Sequence, residues 1–220
     1  MARVPMMVIL LMLSAVCVQA GPWPRERGET FIAPMIGAGT QVGAITQIYA
    51  EHGLTMRLTL GADVARRGRR ADVEIFGRWH LRDLGRSRPV SASLGVVSSR
   101  GAGRAAVRPR LRPGVHIGQG FSRPGDGGWA RLSLSALQPP QGGRAHLDLH
   151  AQLGLRAFRR GLFALGLGVY DTADATYLTF LPVVGWRVGA RTTLIAEGGL
   201  GLDRDSRSDV DVTLGFWYSF

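Results

Sequence analysis

The sequence predicts an all-β chain that closes into an antiparallel transmembrane β-barrel of about twelve strands, with ten as the alternative count, after a cleaved N-terminal signal helix. Three observations predict it. Apolar and polar residues alternate with period two through stretches of about 9–12 residues, the mark of strands with one apolar and one polar face. Gly- and charge-rich turns interrupt those stretches at regular, short intervals. The chain stops on Phe220, with an apolar or aromatic side chain at every second position before it.

The first twenty residues form the leader. Arg3 is their only charge, the run from Val4 to Val18 is apolar, and Val18-Gln19-Ala20 offers the small or aliphatic residues that a signal peptidase accepts. The run is about fifteen residues, short of the roughly 20 that span a bilayer as a helix. Cleavage after Ala20 is therefore expected. It removes Cys17, and with it any disulfide, thiolate nucleophile or Cys-ligated metal. The chain divides into a signal peptide over 1–20, a periplasmic N-terminal segment over 21–29 and a barrel over 30–220.

Turns are expected at 37–40, 51–54, 66–70, 83–88, 100–106, 122–127, 138–143, 157–161, 171–175, 189–191 and 203–208, which separate twelve strand candidates. From Met56 to Val64 every even position is apolar and the odd ones are mostly polar. Val73, Ile75, Trp79 and Leu81 share one face of the next candidate, and Ala145 to Arg156 alternates throughout. Pro34 and Pro182 interrupt the first and tenth candidates, and Pro109 and Pro113 lie in the sixth, which could begin near Gly114. Proline removes a ladder donor, so these positions are read as bulges or strand ends. The ninth candidate, Leu162 to Tyr170, is apolar on both faces and is expected to pack on something inside the lumen or at a subunit contact.

Strands of this length suit a tilted membrane crossing better than a soluble sandwich, whose strands run to about 5–6 residues. Backbone groups in lipid must all pair, so the crossing strands must form a ring. Trp79, Tyr170, Tyr177, Trp186, Phe216, Tyr218 and Phe220 lie near strand ends, where aromatic girdles are expected.

The closing segment, with Phe216, Tyr218 and the terminal Phe220 on one face, resembles the assembly signal of bacterial outer-membrane β-barrel proteins. Together with the leader, that resemblance implies the outer membrane of a Gram-negative bacterium, recognition by the barrel-assembly machinery, and contact with outer-membrane lipid and lipopolysaccharide. The start, Gly21-Pro22-Trp23-Pro24-Arg25-Glu26-Arg27-Gly28, is similar to that of small uncharacterised alphaproteobacterial members.

The polar parity lines the lumen. Arg57, Arg78, Arg131, His146, Asp148, His150, Arg156, Arg187 and Glu197 are the lumen-lining candidates. Buried charges must pair or be hydrated, so Arg–carboxylate bridges that prop the wall are the plain expectation. An arginine surplus would favour anions. His146, Asp148 and His150 alternate on one face, a spacing that could ligate a metal or supply part of a triad, and Ser133 and Ser135 share their parity. No family motif surrounds them, so no catalytic residue, metal or cofactor is assigned. All 27 basic residues are Arg, with no Lys in the chain. This reads as a GC-rich genome, so the net charge of +11 is not taken as a nucleic-acid footprint. The clusters 66–70 and 100–112 could meet lipopolysaccharide phosphates. The expected function is a structural barrel or a narrow, weakly anion-preferring, porin-like channel for small solutes. A membrane-embedded lipid hydrolase and a lipopolysaccharide-contacting interaction protein are the alternatives. The oligomeric state is not legible.

Overall fold

The computed structural model describes residues 22–84, 87–101, 109–123, 126–138, 144–172, 176–202 and 208–220. Twelve strands follow one another: β1 (Thr30–Gly39), β2 (Gly43–Gly53), β3 (Leu58–Arg67), β4 (Arg70–Asp83), β5 (Pro89–Arg100), β6 (Arg110–Arg123), β7 (Asp126–Leu137), β8 (His146–Ala157), β9 (Gly161–Asp171), β10 (Thr176–Arg187), β11 (Thr192–Leu202) and β12 (Ser208–Ser219). Each pairs antiparallel with its sequence neighbour, and β12 pairs with β1, so the sheet is a closed barrel. Closure leaves no unpaired edge. The chain's last residue takes part in it: the Thr30 amide donates to the Phe220 carbonyl at 2.8 Å and the Phe220 amide donates back at 2.9 Å. Both ends of the barrel segment lie at this rim, here the terminal end; the opposite rim is the distal end.

Period-two alternation sorts the side chains. Outward positions stay apolar and exposed around the ring, as at Ile48, Ile75, Val96, Leu134, Leu165 and Leu214. A soluble protein rarely exposes so continuous an apolar surface. Trp79, Trp186, Phe216, Tyr218 and Phe220 share that outer parity near the terminal end. Tyr170 and Tyr177 do not. They pair across β9 and β10 and line the lumen. The reason is parity: on β9 the even positions from Leu162 point inward, and Tyr170 belongs to that set.

Pro34, Pro113 and Pro182 neither end strands nor bulge them, whereas Pro109 stands immediately ahead of β6. On either side of Pro34 the β1–β12 pairing keeps one register, from Ile32↔Tyr218 to Met35↔Gly215. Around Pro182 it likewise runs from Phe180↔Leu200 to Val183↔Glu197. Each ladder skips the bridges that would need the missing N–H and then resumes. β6 begins at Arg110, ahead of Pro113, not at Gly114. The register shift between β4 and β5 falls instead at His80/Arg82, where no proline stands.

Candidate functional site

The lumen has three levels. At the distal end a chamber of about 690 Å³ is lined by Arg67, Arg70, Arg110 and Arg112 together with Asp63, Asp72, Glu74, His146 and Asp148. Below it, and sharing Asp63, lies a chamber of about 290 Å³ lined by Tyr49, Arg131, His150, Gln152, Leu181 and Glu197. Beneath that the lumen is filled.

Pairing orders the distal chamber. Arg112 Nη1 donates to Glu74 Oε2 at 2.6 Å across β6 and β4, and Arg70 Nε lies 2.9 Å from Asp72 Oδ2. Arg110 reaches Ser99 Oγ at 3.2 Å. Asp63 takes the amide of Gln47 at 2.9 and 3.0 Å. Fixed dipoles and pairs hold these charges in the chamber.

The floor has two halves. On the β7 and β9–β11 side it is dry: Trp129, Leu162, Ala164, Val183 and Ile195 join Met35 of β1 in one buried apolar cluster, with Trp23 and Trp217 packed against it. This explains the ninth strand. Its second apolar face, Leu162 and Ala164, covers the inside of the barrel. On the β2–β4 side the floor is ionic. Glu51, 1% exposed, accepts from Arg25 Nε and Arg78 Nη2, each at 2.6 Å, and from the Tyr49 hydroxyl. The Tyr49 ring stacks on Phe76 and meets Phe31 edge-on.

Between the halves runs residues 22–29, the segment placed ahead of the barrel by sequence. Pro22 and Arg25 are buried. Pro22 and Trp23 lie against Gly118 of β6, where a Cβ would come within 2.7–2.9 Å of them. The Arg25 amide donates to Thr59 Oγ1 at 3.2 Å, and its guanidinium sits 4.4 Å above the Phe31 ring. The segment is stitched to β2 by Gly28 N–H to Gly53 carbonyl at 2.8 Å and Gly53 N–H to Glu29 carbonyl at 2.9 Å.

The lumen candidates named from sequence therefore fall in different places. Arg131, His150 and Glu197 line the smaller chamber, His146 and Asp148 the larger, and Arg78 is in the floor. Arg57 lies in the exposed turn before β3, and Arg187 is exposed at the terminal rim, donating to the Arg159 carbonyl at 2.5 Å. Arg156 is half-buried near the same rim, on the terminal side of Gly154. These three do not surround the passage. Ser133 and Ser135 pair with His150 and Asp148, not with His146. Ser133 instead hydrogen-bonds His116 Nδ1 at 3.0 Å, while Ser93 holds His116 Nε2 at 2.8 Å. Both ring nitrogens thus engage serines, and no carboxylate among the described residues hydrogen-bonds that imidazole to orient it as a base. Among the described residues no three His, Cys, Asp or Glu side chains converge to hold a metal. Phe216, Tyr218 and Phe220 face outward on the closing strand, with the Tyr218 and Phe220 rings 5.4 Å apart.

No family model and no curated protein matches the chain. Solved structures do match. The KdgM porin is 12% identical with a TM-score of 0.60 over 87% of this chain and 99% of its own. The NanC porin is 13% identical, with a TM-score of 0.63 over 85% of this chain and 98% of its own. An outer membrane channel from Pseudomonas putida F1 is 12% identical, with a TM-score of 0.61 over 92% and 99%. At such identities the likeness is one of fold.

Proposed function

We propose that the chain is an outer-membrane channel for small solutes, with its terminal end toward the periplasm. The observation that carries this reading is the pair of adjoining chambers lined by charged groups, enclosed by a wall whose exterior is apolar all round. The likeness in fold to outer-membrane porins supports it. So does the even strand number, which brings both barrel termini to one side, and the distal location of the strand ends Arg100 and Arg110, and Leu137 and His146, between which the sequence intervals are longest. On this reading the leader is removed after Ala20, Phe216, Tyr218 and Phe220 are read by the barrel-assembly machinery, and the exposed Arg66, Arg69 and Arg100 of the distal rim meet lipopolysaccharide phosphates.

Selectivity is weak. Arg67, Arg70, Arg110, Arg112 and Arg131 face Asp63, Asp72, Glu74, Asp148 and Glu197 along the two chambers. A residual anion preference would come from local excess of guanidinium and would fade as salt shortens the Debye length, about 10 Å at 0.1 M. Planar-bilayer recording of protein purified from membranes tests the reading. Discrete conductance steps are expected, with a reversal potential slightly on the anion side that moves to the cation side in Arg67→Glu/Arg110→Glu. Absence of any conductance, in the parent chain and in chains with an altered floor, would contradict it.

A further inference from the structure

We propose that residues 22–29 are a tethered blocker of the barrel's own lumen, and that Glu51, Thr59 and Phe31 form a receptor for its guanidinium. The inference rests on the channel reading. Its physical basis is a built site with a removable occupant. Glu51 and Thr59 belong to the wall, are 1% exposed each, and are satisfied by the main chain and guanidinium of Arg25. Phe31, fully buried, supplies the ring face under that guanidinium, a geometry favourable to a cation. Arg78 supplies the second donor to Glu51 from the wall itself, so the carboxylate keeps a counter-charge when Arg25 leaves. The site can therefore empty without stranding a lone buried charge.

The rest of the segment is shaped for the same place. Trp23 completes the dry half of the floor by packing against the Trp129–Val183 cluster. Gly118 and Gly53 lack side chains where the segment passes: a Cβ on Gly53 would overlap the Glu26 carbonyl. Yet the segment is not a strand of the barrel. It contributes no strand to the ring of β1 to β12 and is held by few backbone bonds, those between Gly28, Glu29 and Gly53 among them. Such a contact can release while the ring stays closed. The ligand class of the receptor is a guanidinium carried on a short Pro- and Trp-containing peptide, and the chain supplies its own.

The test is electrical and uses the exported full chain, purified from membranes, with heat-modifiable migration confirming that each variant is folded. The parent chain should open rarely. Deleting residues 23–28 should raise the open fraction at least about tenfold, as expected for loss of one charge-assisted contact or more. Arg25→Gln keeps the tether and removes only the guanidinium, so it serves even where the deletion does not refold, and should raise the open fraction about tenfold. A synthetic peptide of residues 21–27, added on the terminal side of the deletion variant, should block it again, whereas the same peptide with Gln at position 25 should not. A parent chain and variants that conduct equally, with no block by peptide, would overturn the blocker and leave the channel reading standing. Folded variants that never conduct would overturn both.

Discussion

Glu51 gathers Arg25, Arg78 and Tyr49 onto one carboxylate out of reach of water. Removing the charge of a buried pair while leaving its partners in place costs about 3–5 kcal/mol. Glu51→Gln should therefore lower the stability of the refolded barrel by about 3 kcal/mol or more, measured by denaturant unfolding followed through tryptophan fluorescence. A change under about 1 kcal/mol, the range of exposed pairs, would mean that water reaches this carboxylate. Trp129 makes a second demand on a single residue. Its indole lies so close over Gly154 of β8 that a Cβ there would overlap the ring. Gly154→Val should push Trp129 out of the floor, cost about 1–3 kcal/mol, and red-shift the tryptophan emission; an unchanged spectrum would refute the packing. None of this was legible in sequence. A turn expected at 51–54 takes Glu51 off its strand, although Ile45, Gln47 and Tyr49 mark the odd positions of β2 as one face. A bond from Arg25 to Glu51 spans 26 residues and has no local signature.

At the scale of the strand, alternation predicts more than which residues are buried; it predicts what each face tolerates. Leu149 of β8 faces outward and Gln152 lines the smaller chamber. Arginine on a lipid face at mid-depth costs about 2–4 kcal/mol, so Leu149→Arg should destabilise the barrel in lipid vesicles by that amount, while Gln152→Arg should be borne with little loss. Equal costs would show that β8 has no lipid face. β12 carries a different load, because it must find β1 across the whole chain. Phe220 contributes both a backbone pair with Thr30 and an outward ring beside Tyr218. Deleting it should reduce the heat-modifiable form in membranes and increase degradation; undiminished folded protein would argue against a signal at this end. Strand number, outer face and closure were legible because period two is a local property of the chain. The prolines and the ninth strand were harder for the same reason. A proline's missing N–H matters only on one of its two ladders, and the inner apolar face of β9 makes sense only once Trp23 and Trp129 are seen beside it.

For the whole molecule, the parity rule that separates the apolar exterior from the lumen holds around the ring, but the lumen itself is not uniformly polar. Its distal part is a chamber lined by charged groups, and its terminal part is dry or ion-paired and crossed by the chain's own N-terminal segment. Substituted-cysteine accessibility in isolated outer membranes tests this arrangement most directly, since Cys17 is the chain's only cysteine and precedes the barrel in sequence. Single cysteines at Leu147, Asp148, Leu149 and His150, and at Ile195 in the floor, would be challenged with a small charged thiol reagent. Asp148→Cys and His150→Cys should react, while Leu149→Cys, facing lipid, and Ile195→Cys, in the dry cluster, should not. Reaction at Leu149 with protection at Asp148 and His150 would contradict a water-filled lumen inside an apolar wall.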